Sequence, residues 1–107
     1  MHSVGIDIIE IKRVKNITEF VERILSKNEI MLFNEYSLQR QQEFLAGRWA
    51  LKEAIFKALP QENLTFKDID ISYNKFLQPV TNINNYQLLL SLSHSQTNAI
   101  AIAIVVS

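Results

Sequence analysis

Asp7 is a lone carboxylate inside the apolar run Val4-Gly5-Ile6-Asp7-Ile8-Ile9. An ionised carboxylate in such surroundings is costly unless it is paired or bound to a metal. A second set of polar groups lies in the segment Phe44 to Leu59, where Glu53 and Lys57 stand among Trp49, Ile55 and Phe56, with Arg48 and Lys52 nearby. Residues four apart on a helix share a face. Taken singly, Asp7 could cap a turn or pair with Lys12 or Arg13. Glu53 and Lys57 could form a solvated pair worth about 0.2–0.5 kcal/mol. Taken together, two carboxylates on separate, mostly buried elements point to a shared hard cation. Magnesium is commonly held by one or two carboxylates, with water and phosphate oxygens completing its shell. Asp7 and Glu53 match that ligand count, and Lys57 would serve as a phosphate clamp or proton acceptor. The chemistry expected is magnesium-dependent and acts on a diphosphate-containing substrate.

Other residues widen the candidate site. His94, in Ser91-Leu92-Ser93-His94-Ser95, reads either as a turn histidine satisfied by backbone or as a phosphate contact from a loop. Arg13, Arg23, Arg40 and Arg48 are spread over the helical half. Singly they read as surface charge; as a set they could receive an acidic partner protein. Two histidines without cysteine do not build a closed zinc site. Two glycines in the whole chain argue against a glycine-rich phosphate loop.

These residues must be positioned by one domain spanning residues 1–107, since the length suffices for one core and not for two. Formal net charge is +0, from 11 basic and 11 acidic residues, which disfavours nucleic acid or an anionic membrane as partner. There is no cysteine, so disulfide and thiolate chemistry is excluded. No signal-type start is visible, and the longest apolar run, Ala99 to Val106, is far short of a membrane span. A soluble cytoplasmic protein is expected. The mean hydropathy of +0.03 suggests some apolar surface hidden between subunits.

Val4 to Ile9 reads as a buried strand. Asn16 and Glu19 mark a helix start, followed by Phe20, Val21, Ile24 and Leu25 at helical spacing. Ser26-Lys27-Asn28-Glu29 forms a capping-box pattern opening a short helix through Phe33. Gln39 to Leu59 is the main helix, stopped by Pro60, and Gly47 within it implies close approach by another element. Phe66 to Tyr73 and Tyr86 to Ser93 read as strands. Ala99 to Val106 alternates: Ile100, Ile102, Ile104 and Val106 suit a core, while Ala99, Ala101, Ala103 and Val105 suit close packing on a helix or a neighbouring subunit. His94 to Asn98 is short enough to join the last two strands as an antiparallel hairpin. The fold class expected is α+β, with helices packed on a mainly antiparallel sheet.

The segments Gly5-Ile6-Asp7-Ile8-Ile9-Glu10-Ile11-Lys12-Arg13, Glu22-Arg23-Ile24-Leu25, Phe44 to Leu59, Phe66-Lys67-Asp68-Ile69-Asp70-Ile71 and Leu92-Ser93-His94-Ser95 together resemble the holo-[acyl-carrier-protein] synthases. These are the short bacterial members of the 4′-phosphopantetheinyl transferase superfamily. The resemblance implies transfer of the phosphopantetheine arm of coenzyme A to a serine of apo acyl carrier protein, releasing adenosine 3′,5′-bisphosphate. It implies Asp7 and Glu53 as magnesium ligands and Lys57 beside the reacting phosphate. It further implies Arg40, Arg48 and His94 as coenzyme A contacts, Arg13 and Arg23 as contacts to the carrier protein, and a homotrimer with sites between subunits. Glu53 through a metal-bound water, or a metal-activated water alone, would take the serine proton; that choice stays open. Three departures stand out. Lys75-Phe76-Leu77-Gln78-Pro79 replaces a glycine-containing turn, so this loop is expected to run differently, since leucine does not readily adopt φ > 0. The link after Leu59 is short. Gln39 and Gln96 stand where a basic residue is common.

Overall fold

The structure, a computed structural model, describes residues 2–106. Strand β1 (Ser3–Glu10) ends in a 3-10 turn at Ile11–Arg13. Helices α1 (Ile17–Ile24), α2 (Lys27–Phe33) and α3 (Leu38–Ala58) follow, then β2 (Ser72–Tyr73), β3 (Pro79–Val80), β4 (Leu88–His94) and β5 (Asn98–Val105). The main sheet has the order β1-β5-β4 with antiparallel neighbours, and β2–β3 forms a separate short antiparallel pair. This is a small α+β domain with helices on an antiparallel sheet. Among the described residues no helix is long and apolar enough to cross a membrane.

The helix starts follow the local chemistry. The Asn16 side chain accepts from the Glu19 N–H, and Ser26 and Glu29 form the reciprocal capping box. Ser37 caps α3 by accepting from the Arg40 N–H. The strand expected over Phe66 to Tyr73 is mostly absent. A 3-10 turn occupies Phe66–Asp68 and only Ser72–Tyr73 pairs, although Ile69 and Ile71 are buried on one side as expected.

Register explains which face of the sheet is the core. Gly5 pairs with Ala103, Asp7 with Ala101 and Ile9 with Ala99, while Leu90, Leu92 and His94 pair with the same three alanines from β4. Paired residues in antiparallel strands point to one side, and Ala99, Ala101, Ala103 and Val105 are buried there. The reading that the isoleucine face of β5 makes the core is therefore corrected. Ile100 is exposed, and so are Val4, Ile6, Ile8 and Leu89 on the same outer face. The reason is the closeness of α3, which covers this face and favours small side chains where it crosses β1 and β5 most tightly. A Cβ added at Gly5 would lie 1.9 Å from the Ala54 carbonyl oxygen and 2.8 Å from the Ala58 nitrogen. Gly47 has a similar but softer constraint, with the Leu92 side chain 3.0 Å from where its Cβ would be.

Gly5→Ala should therefore lower unfolding free energy by about 3 kcal/mol or more, at the severe end of overpacking because backbone rather than side chain must yield. A urea melt of the variant beside the parent measures this. An unchanged midpoint would refute the close crossing of β1 and α3.

The loop between β2 and β3 also departs from expectation. Leu77 takes φ 62 after all, a conformation costing roughly 1–2 kcal/mol for an L-residue. Asn74 holds the turn: its Oδ1 accepts from the Phe76 and Gln78 N–H groups at 2.9 and 3.0 Å, and its carbonyl accepts from Leu77 N–H at 3.0 Å. Leucine thus occupies a left-handed turn position, and the bonds organised by Asn74 offset the strain.

Candidate active site

Strand β1 runs antiparallel along α3. Gly5 lies against Ala54 and Ala58 near the end of the helix, while the Ile11 carbonyl accepts from Gln42 near its start. Between these points the Asp7 side chain faces α3 and is 15% exposed. The Lys57 ammonium donates to Asp7 Oδ1 at 3.0 Å and to the Ile6 carbonyl at 3.0 Å. Asp7 Oδ2 is buried and has no hydrogen-bond donor. Glu53 sits one turn before Lys57, half-buried, and among the described residues its carboxylate makes no hydrogen bond or ion pair.

This geometry fits a hard cation. A buried carboxylate oxygen without a partner carries a desolvation cost of about 1–3 kcal/mol or more, and an oxygen-seeking ion would offset it. Among the described residues no group of three or more His, Cys, Asp or Glu could hold a metal.

Arg48 lies elsewhere. Its guanidinium is 1% exposed, donating to Glu29 Oε2 at 3.1 Å, to the Tyr73 hydroxyl at 3.2 Å and to the Ile71 carbonyl at 3.3 Å. It also stacks over Phe44 at 4.4 Å and Tyr73 at 5.1 Å. Within this chain Arg48 is thus engaged by its own neighbours, and a coenzyme A phosphate would have to join or open that network to reach it. Lys52 is equally enclosed: its three donors go to Glu29 Oε1 at 2.6 Å, the Ile24 carbonyl at 2.7 Å and the Phe66 carbonyl at 3.0 Å. Burial holds the Lys52 ammonium below the usual lysine range, opposed by the charge and hydrogen bond of Glu29. Glu29 is the hub, since its two oxygens also accept the Ser26 and Ile71 N–H groups at 2.9 and 3.0 Å. Sequence reading found the capping half of that role and missed the ion pairs, which join residues 19 and 23 positions apart.

The remaining candidates are dispersed. Arg13 lies over Trp49 at 4.8 Å, and Arg23 over Phe20 at 5.3 Å. Phe20 and Trp49 are themselves in contact, with ring centroids 5.1 Å apart. Two exposed guanidinium groups are thereby held on one aromatic cluster. Arg40, over Tyr36 at 4.9 Å, is in the first turn of α3, whereas Lys57 is in the last. At 1.5 Å per residue the two are about 25 Å apart along the axis. His94 ends β4, is exposed, and its Nδ1 lies 3.3 Å from the Ser95 carbonyl oxygen. Within one chain, then, Asp7 and Lys57 come together with Glu53 on the adjoining turn, and Arg40 and His94 do not join them.

The family model described as the 4′-phosphopantetheinyl transferase superfamily matches residues 3–105, so the domain is a transferase of that class. Its curated relatives are narrower in kind. A holo-[acyl-carrier-protein] synthase of Mycoplasma mycoides is 44% identical over 104 residues, covering 97% of this chain and 94% of the relative. One from Staphylococcus saprophyticus is 38% identical over 109 residues, covering 94% of each. The chain belongs to the holo-[acyl-carrier-protein] synthase family, and it is an enzyme. Solved structures agree. The Bacillus anthracis synthase, crystallised in complex with CoA (3′,5′-ADP), superposes with a TM-score of 0.90 at 35% identity, covering 96% of this chain and 94% of that one. The Helicobacter pylori synthase in complex with coenzyme A gives 0.80 at 36% identity, covering 96% and 99%.

Proposed function

We propose that this chain transfers the 4′-phosphopantetheine arm of coenzyme A to a serine hydroxyl of apo acyl carrier protein in the cytoplasm, with release of adenosine 3′,5′-bisphosphate. The observation that carries the reading is Asp7, a part-buried carboxylate with one oxygen on Lys57 and the other buried without a donor, in a chain matched along almost its whole length by these transferases.

The serine oxygen attacks the phosphorus that bears the pantetheine arm. One phosphorus–oxygen bond forms, the bond to the nucleotide phosphate breaks, and the serine proton leaves. Asp7 and Glu53 would hold a magnesium ion, which when bound would offset the negative charge of the diphosphate. Lys57 is 54% exposed, so its ammonium can turn from Asp7 to the phosphoryl oxygens and stabilise their charge. With one carboxylate oxygen given to the cation, Glu53 would take the serine proton through a water held by the other. Arg13 and Arg23, held on their aromatic faces, would meet the acidic surface of the carrier protein with little side-chain ordering left to do.

Arg40 and His94 would hold coenzyme A from a neighbouring copy, because the length of α3 keeps Arg40 from the Lys57 of its own chain. Val4, Ile6 and Ile8 are 60%, 55% and 58% exposed on the sheet face that, among the described residues, no helix covers, and burying such a face drives association. The assembly proposed is a homotrimer with sites between subunits. Light scattering should return three chain masses; a monomer at micromolar concentration would overturn it.

Transfer itself is tested by incubating the protein with apo acyl carrier protein, coenzyme A and magnesium, then weighing the carrier protein. Addition of the phosphopantetheine mass, abolished by chelator, supports the reading. An unmodified carrier protein refutes it.

A further inference from the structure

Resting on the reading of Asp7 and Glu53 as cation ligands, we infer that Lys57 makes the site reject a divalent cation on its own and accept it together with a diphosphate. The Lys57 ammonium is fixed at two points, Asp7 Oδ1 and the Ile6 carbonyl, each at 3.0 Å. The other Asp7 oxygen is buried without a donor. One carboxylate therefore serves two positive charges. A cation entering at Oδ2 and Glu53 would meet the ammonium across a single carboxyl group, and at the buried Oδ2 little water intervenes.

A diphosphate changes the balance. Its negative charges offset both cations, and the flexible, half-exposed Lys57 stem lets the ammonium leave Asp7 for a phosphoryl oxygen. The repulsion that weakens the cation alone becomes an attraction shared by three parties. By linkage, coenzyme A and the cation then raise one another's affinity by the same factor. Lys57 is thus a positioning residue for loading of the site as well as a contact to the phosphate.

Manganese is the probe. Its dissociation constant is read from the electron paramagnetic resonance signal of free Mn²⁺, with and without coenzyme A, and with no acyl carrier protein so that nothing turns over. In the parent enzyme coenzyme A should tighten Mn²⁺ by about tenfold or more. Lys57→Met should bind Mn²⁺ alone several-fold more tightly than the parent, and the coupling to coenzyme A should fall below about threefold. Lys57→Arg, which keeps the charge, should retain the coupling. Lys57→Met binding Mn²⁺ no more tightly than the parent, or keeping full coupling, overturns the inference. Asp7→Asn separates the two levels. If, with coenzyme A present, it binds Mn²⁺ as the parent does, the cation reading fails. If it loses Mn²⁺ while Lys57→Met behaves as the parent, only the role given to Lys57 fails.

Discussion

Asp7→Asn should reduce phosphopantetheine transfer by about a thousandfold or more, equivalent to roughly 4 kcal/mol of transition-state stabilisation. The substitution keeps size and shape and removes the charge. Its effect on folding should be small: the pair it breaks involves a lysine that is 54% exposed, and pairs with an exposed partner contribute about 0–1 kcal/mol. Loss of activity without loss of fold is the signature of a ligand to a cation rather than a structural aspartate. Initial rates by mass spectrometry of the carrier protein, taken with a thermal melt, measure both. A variant retaining more than a tenth of the parent rate would contradict the role given to Asp7.

Glu29→Gln should have the opposite signature, a large loss of stability. Glu29, Arg48 and Lys52 are 0%, 1% and 0% exposed, and the carboxylate accepts four hydrogen bonds, two from charged side chains. Glutamine aims an amide donor at one pair of these donors and leaves two buried cations without an anion. Breaking a buried pair by removing one partner costs about 3–5 kcal/mol. The network ties together the end of α1, the start of α2, the middle of α3 and the approach to β2, so the loss should reach the whole domain. Urea unfolding measures it. A change below about 1 kcal/mol would show that the three charges are held in place by the surrounding packing rather than by one another.

The parts of this structure legible in the sequence are those fixed by local patterning. Asn16, Ser26 and the apolar spacing of Phe44 to Leu59 placed the helices because caps and periodicity are short-range signals. Asp7 stood out as a charge in an apolar run, and the structure puts Lys57 on it. What sequence did not show depends on distances across the fold. Glu29 already had a local partner in Ser26, so nothing in its surroundings announced Arg48 or Lys52. The alanine face of β5 packs on a helix as read, but the isoleucine face was also assigned to the core, because large residues were taken to be buried; α3 approaches closely at Gly5 and covers the other side alone. Leu77 was expected not to adopt the turn readily, yet the Asn74 side chain holds it there. Arg48 and Arg40 carry the same charge on the same helix, and their difference in burial is set by the fold rather than by anything local in the sequence.

Anomalous diffraction from crystals grown with Mn²⁺ and coenzyme A tests the pairing of Asp7 with Glu53 most directly. The result expected is one manganese peak touching Asp7 Oδ2, a Glu53 carboxylate oxygen and the diphosphate of coenzyme A. A peak that touches neither carboxylate, or that lies on one of them with the other turned away, would contradict it.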